Sequence, residues 1–589
     1  MADMDMNESN NLENCTMYIL GINAAYHESA ACLIKDGQVV MAIEEERLNR
    51  IKHGKLSTPD TTGQLPWKSI RKCLDAAGIE LDAVSHIGYS FSPEILQKGV
   101  ASWRSSNGGA RDWPLEKESY QTLEGGLSFA DGVLAARRQL IEDAGFTGEF
   151  HFLPHHDCHA ASAFHVSPFE KAAVLVIDGI GEWASTSLYH GDGLALTKVH
   201  DFNFPDSLGF VWEKLSKYLG FSQYDASKVM GLAAYGDASK TIERFSRIVT
   251  DKVDMTVDLS ILRHESPDFS TLEALFGLPR RHEPVDFNTD NWQAYVDVAA
   301  GLQLLTEQVL INVLRKFDRH AYRNLCMAGG VALNCAANGV IVRERLFDDV
   351  FIQPAANDAG TALGAAFLIW CQVLGKPRNY VMHHAYLGPA YSDDEIEAVL
   401  KRTALAYHKV EIEKEVAKLI AAGAVIGWFN GPMEWGPRAL GGRSLLADPR
   451  NKDIREVMNV KVKHRELYRP FCPSILGEHA EAWFDGSTRA VAGKYMLTTS
   501  IARADKAAQI PAVVHFDGTV RAQVVRADDN PRFHRLISEF YALTGVPLLL
   551  NTSFNDSEPI VCTPQDAINT FMKTDIDHLA LGSFLISKQ

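Results

Sequence analysis

Two histidines spaced four residues apart, His155 and His159, form the clearest metal-ligating pair in the sequence. On a helix this spacing places both imidazoles on one face, as a shared metal ion requires. Two carboxylates are candidates for the remaining ligands: Asp178 ends an apolar run, and Asp358 precedes a Gly-rich stretch. Imidazole and carboxylate donors together suit iron, manganese or zinc. The alternative is ordinary, because paired surface histidines are common and carboxylates at strand ends often cap helices.

A second chemical feature is a local excess of positive charge. Between Arg438 and Arg469 the chain carries nine Lys/Arg and four Asp/Glu, whereas the whole protein has a formal charge of −16. Several of these cations flank Gly/Pro turns or lie in the segment Tyr468-Arg469-Pro470-Phe471, where no regular helix face exists. The pattern therefore favours an anion pocket, for example for a triphosphate, over a solvated helix face.

Strands that end in glycine turns must position these groups. A strand over residues 17–22 leads through a polar turn to two strands joined at Asp36-Gly37, a strong hairpin dipeptide. A similar unit ends its first strand on Asp178-Gly179-Ile180-Gly181, and the repetition predicts a duplicated α/β fold. A later strand runs into Gly329 and Gly330. Such turns bring backbone N–H groups close to phosphates, although they also serve simply to reverse the chain.

The chain is too long for one hydrophobic core. Domains of ~100–200 residues predict about two to four domains for a chain of 589 residues. The pattern breaks at 375–390, which is rich in Gly, Pro and Tyr. We expect a loose polar tail over 1–16, a first domain over 17–380 and a second over 381–589. A helical stretch at 292–317 belongs to the first, and a strand at 424–429 lies near the start of the second.

Composition excludes several classes of protein. With 46% hydrophobic, 9% aromatic and 22% charged residues, the sequence is typical of globular domains. No apolar run reaches the ~18 residues of a membrane span, and no signal-peptide pattern opens the chain. The negative charge argues against nucleic-acid binding. Nine cysteines without regular spacing predict neither a disulfide framework nor a thiolate zinc site, which favours a cytoplasmic location.

Many short segments, taken in order, resemble the carbamoyltransferase family that includes nodulation carbamoyltransferases and those of aminoglycoside and cephem antibiotic pathways. The resemblance runs over nearly the whole chain beyond residue 17, and its specificity lies in the order of the segments. In the first part the matching segments are His27-Glu28-Ser29-Ala30-Ala31, 44–47, Lys52-His53-Gly54, 155–163, Asp178-Gly179, 230–236, 329–334 and 357–360. In the second part they are 436–441, Lys463, Arg469-Pro470-Phe471 and 551–555.

The resemblance implies both a fold and a reaction. The first part would have the duplicated actin-like ATPase (ASKHA) fold of tRNA threonylcarbamoyl transferases. The second would be a twisted open α/β domain of the threonylcarbamoyl-adenylate synthase type. Carbamoyl phosphate and ATP would give carbamoyl-adenylate and pyrophosphate at the second domain. The first domain would then transfer the carbamoyl group to a hydroxyl of a small metabolite. A homodimer is a further expectation from the family.

The resemblance also assigns roles to individual residues. Four residues would hold a metal, for which Fe²⁺ fits best: His155, His159, Asp178 and Asp358. His27 would act as base toward the acceptor hydroxyl, since an imidazole titrates near ~6.5. Lys52 would hold a phosphate or the carbamoyl oxygen. A satisfied polar residue in a turn and a surface lysine are the respective alternatives.

The same resemblance also assigns residues to the anion pocket. Carbamoyl phosphate and ATP, with Mg²⁺ on the triphosphate, would be bound by Arg438, Lys463, Arg469 and Arg521. Hydrogen-bonding partners would be Asn551 and Ser553. Nucleotide contacts in the first part would come from Gly329, Gly330 and Asn334. Arginine and lysine suit this task because adenylate formation exposes negative charge on several phosphates at once.

Three other functions remain as alternatives. An actin-fold small-molecule kinase or ATPase would transfer phosphoryl groups and release no pyrophosphate. A fused tRNA threonylcarbamoyl transferase would need basic patches outside the pocket, against the overall charge. A non-catalytic binding protein would not explain two clusters of charged residues. The acceptor is not readable from the sequence; we expect it near His27 and the 85–150 region.

Overall fold

The computed structural model describes residues 16–55, 61–107, 123–486, 488 and 490–588. The first part of the chain begins with a five-stranded sheet. Its strands are β1 (Tyr18–Asn23), β2 (Ala30–Lys35), β3 (Gln38–Glu44), β4 (Val84–Tyr89) and β5 (Glu149–Phe152). They lie in the order β3-β2-β1-β4-β5, with β1 antiparallel to β2 and parallel to β4. The accompanying helices are α1 (Glu45–Asn49), α2 (Trp67–Ala77), α3 (Pro93–Asn107), α4 (Leu123–Arg138) and α5 (His155–Phe164).

A second five-stranded sheet repeats this topology. Its strands are β6 (Lys171–Ile177), β7 (Ala184–Asp192), β8 (Ala195–Asn203), β11 (Asn324–Ala328) and β12 (Asp349–Ile352), with a small ribbon of β9 (Val249–Asp251) and β10 (Thr256–Val257) inserted. Read from β8 to β12, its order β8-β7-β6-β11-β12 matches the order β3-β2-β1-β4-β5 of the first sheet strand for strand. The predicted duplication is therefore confirmed, and the first part has the actin-like arrangement.

The helices of the second unit complete this part. They are α6 (Leu208–Tyr218), α7 (Ala226–Ala233), α8 (Ile242–Ile248), α9 (Leu259–Leu262), α10 (Ser270–Phe276), α11 (Trp292–Leu314), α12 (Cys335–Arg343) and α13 (Ala359–Leu368). The long α11 confirms the helix predicted over 292–317. The hairpin between β2 and β3 turns at Asp36 and Gly37, whose φ angles of 50° and 78° fit the dipeptide that predicted it.

Helices α5 and α13 occupy equivalent positions in the two units and pack against each other. Both contain several alanines, and α13 also contains Gly360 and Gly364, which lets the helices approach closely. A Cβ at Gly364 of α13 would overlap the carbonyl oxygen of Cys158 in α5, and one at Gly21 of β1 would overlap that of Ala362. This close packing brings the N-terminal ends of both helices to the centre of the first part.

The second part is built on an open, mixed eight-stranded sheet. Its strands are β13 (Tyr407–Lys409), β14 (Ile426–Phe429), β15 (Arg443–Ala447), β16 (Cys472–Leu476), β20 (Gln523–Val525), β21 (Leu548–Ser553), β22 (His578–Leu581) and β23 (Phe584–Ser587). A three-stranded sheet contains β17 (Phe484–Asp485), β18 (Ser500–Ala502) and β19 (Thr519–Val520). The helices are α14 (Asp393–Leu400), α15 (Ile412–Ala421), α16 (Ile454–Val457), α17 (Ala480–Trp483), α18 (Ala504–Ala507), α19 (Pro531–Thr544) and α20 (Pro564–Lys573). This agrees with the α/β class expected for it.

The connection between the two parts spans 375–392 and contains one isolated bridge but no helix. The predicted boundary between 380 and 381 falls inside this connection. A buried contact links the parts further on: Arg47 donates to the carbonyl of Gly436 (3.0 Å), and the Gly436 N–H donates to Glu44 (2.8 Å). This contact fixes the turn that carries Arg438. The predicted tail, apart from residue 16, lies outside the described residues.

The sequence predicts no membrane-spanning segment. No helix in the described part of the chain is both long and apolar enough to cross a bilayer.

Candidate functional site

Four side chains converge where the central helices meet. Nε2 of His159 lies 3.1 Å from Asp178 and 3.6 Å from Asp358, and Nε2 of His155 lies 3.6 Å from each carboxylate. One ligand atom from each residue falls within 4.8 Å of all the others. The sequence predicted all four, and the structure brings them together. We call them the four-ligand cluster.

Duplication explains this convergence. His155 and His159 lie on the first two turns of α5, Asp358 immediately precedes the equivalent helix α13, and Asp178 immediately follows β6. The carboxyl ends of parallel strands and the N-terminal ends of the following helices meet at one edge of each sheet. The two units face each other across α5 and α13, so residues about 200 positions apart share one site.

Outer contacts orient the ligands. The carbonyl of Ser90 lies 3.1 Å from Nδ1 of His155, which favours a proton on that nitrogen and leaves Nε2 as the ligand. Oδ1 of Asp178 accepts the N–H of Gly330 (3.1 Å), while its Oδ2 faces the histidines. Glu182 accepts the first N–H of α5 at 2.9 Å. No sequence pattern indicates Glu182, because a single acid next to a glycine turn has no distinguishing spacing.

Electrostatics of the cluster are those of a cation site. Burial alone would raise the pKa of Asp178, but the two histidines hold it well below its usual range. Burial and Asp178 oppose ionisation of Asp358, yet its pKa falls to about 2 beside the histidines. Nε2 of His155 has no hydrogen-bond partner among the described residues. Two carboxylates and two imidazoles around one point suit a divalent transition metal, so the donor set fits the expected iron.

The metal-side cavity adjoins this cluster. It has a volume of about 500 Å³, and its walls include Asp178, Asp358, His27, Tyr224 and Glu213. Nδ1 of His27 is buried without a hydrogen-bond partner among the described residues. The ring of Tyr224 stands edge-on to His27 at 5.5 Å. The imidazole predicted to act as base therefore lies in the same cavity as two of the ligand carboxylates.

Lys52, predicted beside His27, is exposed and is not part of the cavity wall. Its neighbour His53 lies there instead, with Nδ1 2.7 Å from Glu28. Burial would lower the pKa of His53, but Glu28 raises it above the usual value. The geometry thus favours the His53–Glu28 pair over Lys52 as the charged group next to His27. Sequence reasoning missed this pair, since neither residue has a distinctive spacing.

Nucleotide-contact residues predicted in the first part have mixed outcomes. Gly329 has a φ of 94°, and a Cβ there would overlap the carbonyl oxygen of Ile177, so this position requires glycine. Gly330 and Asn334 line the metal-side cavity. The Asn334 side chain already caps α12 and exchanges hydrogen bonds with Gln303 at 2.9 and 3.2 Å. The N–H of Gly330 donates to Asp178, as described above.

A second cavity lies between the two parts of the chain. It has a volume of about 560 Å³, and we call it the arginine cavity because of five residues in its wall: Arg438, Arg455, Arg465, Arg469 and Arg521. Three of these were predicted; Arg455 and Arg465 were counted only as part of the basic segment. Nε of Arg438 and Nη2 of Arg465 are buried without hydrogen-bond partners in the described structure. Unused donors of this kind suit an anionic ligand.

Acids balance the charge of these five arginines only in part: Glu307 and Asp517 also line the cavity, and Glu466 lies 3.8 Å from Arg469. Burial, and then Arg521, lowers the pKa of Arg438 to about 10. Burial, and then Arg469, lowers the pKa of Arg465 to about 9. Each guanidinium remains protonated at neutral pH but is destabilised by its surroundings. A bound polyphosphate would supply the missing negative charge.

Lys463 does not line this cavity. Its ammonium is enclosed by the carbonyl of Ser553 (2.8 Å), the carbonyl of Asn555 (2.8 Å) and Oδ1 of Asn555 (2.6 Å). Ser553 and Asn551 do line the cavity, and Oδ1 of Asn551 has no partner among the described residues. The geometry therefore makes Lys463 a support for the Ser553 segment, and the predicted direct contact with phosphate is not supported.

Two other cations of the basic segment, Arg443 and Arg450, make structural contacts within the second part of the chain. Arg443 is fully buried over the ring of Phe429 at 3.6 Å and donates to backbone carbonyls, and Arg450 pairs with Asp448 at 2.6 Å. Sequence alone does not separate these structural arginines from those of the cavity, because the distinction depends on which way each side chain points.

The two cavities touch. Four residues belong to the walls of both: Ser227, Met230, Pro437 and Arg438. Arg438 lies on the turn held by the contact of Gly436 with Glu44 and Arg47. The two cavities therefore share one wall.

Comparison with known proteins shows the family of the chain. Residues 18–367 match the family model for the Carbamoyltransferase N-terminus, and residues 417–588 match that for the Carbamoyltransferase C-terminus. The chain is 36% identical to Nodulation protein NolNO of Sinorhizobium fredii over 96% of its length and 80% of that protein. It is 38% identical to Nodulation protein NolO of Bradyrhizobium diazoefficiens over 74% and 79%. The chain belongs to the carbamoyltransferase family and is a transferase.

Proposed function

We propose that the protein is an ATP-dependent O-carbamoyltransferase that works in two half-reactions at its two cavities. The observation that carries this proposal is the pair of complementary sites. One is a cavity whose wall contains five arginines and only two acids, Glu307 and Asp517, and it suits ATP and carbamoyl phosphate. The other is a four-ligand cluster beside an unpartnered imidazole. Their shared wall at Arg438 supports transfer of an intermediate between them.

The first half-reaction would take place in the arginine cavity. Water splits carbamoyl phosphate into carbamate and orthophosphate, and a carbamate oxygen then attacks the α-phosphorus of ATP. Carbamoyl-adenylate forms and Mg²⁺-bound pyrophosphate leaves. Arg438, Arg465, Arg469 and Arg521 would neutralise the phosphate oxygens as their charge redistributes. Lys463 would hold Ser553 and Asn555 in place, so that Ser553 and Asn551 can bind the substrates.

The second half-reaction would take place in the metal-side cavity. Nδ1 of His27 faces no partner within the described structure and would accept the proton of the acceptor hydroxyl. The hydroxyl oxygen then attacks the carbamoyl carbon, and AMP leaves. The His53–Glu28 pair would keep a protonated imidazole next to this reaction, where negative charge develops on the phosphate leaving group.

Iron is our proposal for the four-ligand cluster. His155, His159, Asp178 and Asp358 would hold it, and a bound divalent cation would polarise the carbamoyl carbonyl as a Lewis acid. The orientation of His155 by Ser90, and of Asp178 by Gly330, prepares their ligand atoms for this role. Both contacts leave Nε2 and Oδ2 directed at the cluster centre.

A small hydroxylated metabolite is the proposed acceptor, and the reaction is proposed to be cytoplasmic. The second proposal draws support from the cysteines: the eight described ones are free, buried thiols. Part of the region expected to contact the acceptor, residues 108–122, lies outside the described residues.

The test requires no acceptor. The protein is incubated with ATP, Mg²⁺ and carbamoyl phosphate, and pyrophosphate, ADP and carbamoyl-adenylate are measured. Pyrophosphate release that depends on carbamoyl phosphate supports the proposal. Release of ADP instead, or pyrophosphate formed equally well without carbamoyl phosphate, would refute it and favour a kinase or ATPase. Arg450→Met is a suitable control variant, because Arg450 belongs to the same basic segment but pairs with Asp448 away from the cavity.

A further inference from the structure

An exposed phenylalanine, Phe516, lies at the arginine cavity. Phe516 is 72% exposed, although it forms part of the cavity wall. Burying a large apolar side chain is normally favourable, so an exposed ring at a ligand cavity indicates a surface that a ligand covers. The other exposed aromatic side chains among the described residues, Phe287 and Tyr541, are each 37% exposed and do not line this cavity.

The turn that carries Phe516 is held rigidly. The N–H of His515 donates to the carbonyl of Thr519 (2.8 Å), and that of Gly518, with a φ of 80°, donates to His515 (3.0 Å). Asp517 accepts both the N–H and the hydroxyl of Thr519, at 2.9 and 2.7 Å. Phe516 therefore stands at the tip of a tight turn whose backbone is fixed by its own hydrogen bonds.

One face of the Phe516 ring is supported from the other part of the chain. Tyr235 stacks against it with ring centroids 4.8 Å apart and an interplanar angle of 24°. Phe287 in turn packs edge-on against Tyr235 at 5.1 Å. This spacing leaves no room for a further ring between Phe516 and Tyr235, so a planar ligand would cover the outer face of Phe516. Tyr235 then acts as a backing that holds the platform flat.

The same turn leads directly to a phosphate-binding candidate. Two residues after Thr519 comes Arg521, which lies in the cavity wall with Asn551 and Ser553. An aromatic face and a guanidinium on one short segment, both facing one cavity, match the two ends of a nucleotide. Aromatic rings stack on bases, and arginines bind the phosphates.

We propose that Phe516, backed by Tyr235, is the platform on which the purine base of the nucleotide stacks in the arginine cavity. The inference rests on the proposed function for its choice of ATP as ligand. It adds a base-binding surface to which both parts of the chain contribute. Every base has an aromatic face, so the platform by itself accepts guanine as well as adenine.

The test compares ligands with and without a base. Binding of ATP, GTP and inorganic tripolyphosphate is measured by calorimetry on the full-length wild type and on Phe516→Ala. The ring is exposed, so the fold should tolerate this change. Phe516→Ala should weaken ATP and GTP binding by about tenfold and leave tripolyphosphate binding unchanged. Phe516→Tyr should retain the wild-type affinities. Tyr541→Ala removes an exposed ring on α19 and serves as the matched control.

A direct signature comes from Phe516→Trp. Its fluorescence should fall on addition of ATP and stay constant with tripolyphosphate, since only the base covers the ring. Equal loss of ATP and tripolyphosphate affinity in Phe516→Ala, or no loss at all, would overturn the platform, as would a wild type that binds no ATP. Failure of the proposed function looks different: base-dependent binding would persist while pyrophosphate release shows no need for carbamoyl phosphate.

Discussion

Replacing Arg438 with methionine should stabilise the ligand-free protein and weaken ATP binding at the same time. Burial, and then the nearby Arg521, lowers the pKa of Arg438 from 12.5 to about 10. At pH 7 the group is protonated in both the folded and unfolded states, so the whole penalty for its charge is present. One pKa unit corresponds to about 1.4 kcal/mol, so the shift corresponds to about 3 kcal/mol at most. Partial exposure to the cavity reduces this, and we expect about 1–3 kcal/mol.

The effect on ligand binding has the opposite sign. A hydrogen bond to a charged group contributes about 1.5–3 kcal/mol, so loss of the guanidinium should weaken ATP binding by roughly 10- to 150-fold. Thermal unfolding of the ligand-free protein and calorimetric titration with ATP measure the two quantities. A gain of 1 kcal/mol raises the midpoint by about 2–4 °C for a domain of this size.

The matched control is Arg450→Met in the same basic segment. It removes an ion pair and leaves the buried Asp448 carboxylate without its partner. This variant should lose stability, by about 1–3 kcal/mol, and bind ATP normally. If Arg438→Met instead destabilises the ligand-free protein as Arg450→Met does, that result would refute the claim that burial and the neighbouring arginines make the Arg438 charge unfavourable. The role of Arg438 in ATP binding is refuted if the ATP dissociation constant of Arg438→Met stays within twofold of the wild type.

Three further predictions address other parts of the molecule. His27→Asn should lower carbamoyl transfer by about 10²- to 10⁴-fold and leave pyrophosphate release intact; parallel loss of both activities would remove His27 from the role of base. Asp178→Asn should lower bound iron, measured by elemental analysis, while ATP affinity is retained; unchanged iron content would contradict the four-ligand cluster. Burial, and then Arg378, lowers the pKa of His165 to about 3, so only the unfolded state takes up its proton between about pH 6.5 and 3. As the pH is lowered through that window, the free energy of unfolding should decrease, by about 2 kcal/mol from pH 7 to pH 5. His165→Leu should flatten this dependence in urea unfolding, and an unchanged slope would show that another group is responsible.

Local structure followed closely from local sequence. The hairpin at Asp36-Gly37 and the helix α11 both agree with their patterns, because turn dipeptides and helical periodicity act over a few residues. The spacing of His155 and His159 placed both imidazoles on one face of α5 for the same reason. Repetition of the strand–turn–strand unit was enough to predict the duplicated first part.

The candidate metal ligands Asp178 and Asp358 required more than local pattern. Their positions made them candidates and the family resemblance then assigned them, while their ordinary interpretation as helix caps was also compatible with the sequence. In the structure both carboxylates face the histidines of α5, because two units related by duplication pack through α5 and α13. That packing depends on small residues far apart in the chain, such as Gly364.

The sequence by itself determined the composition of both sites: which residue types they contain, and that a basic segment is set in an acidic protein. Tertiary structure alone decided which of those side chains face a ligand. Arg438 points into the arginine cavity, whereas Arg443 packs over Phe429 and Lys463 is enclosed by the Ser553 segment. Lys52 is exposed while His53 lines the metal-side cavity. The reason is physical: the direction of a side chain is set by the elements packed around it, and those come from distant parts of the chain.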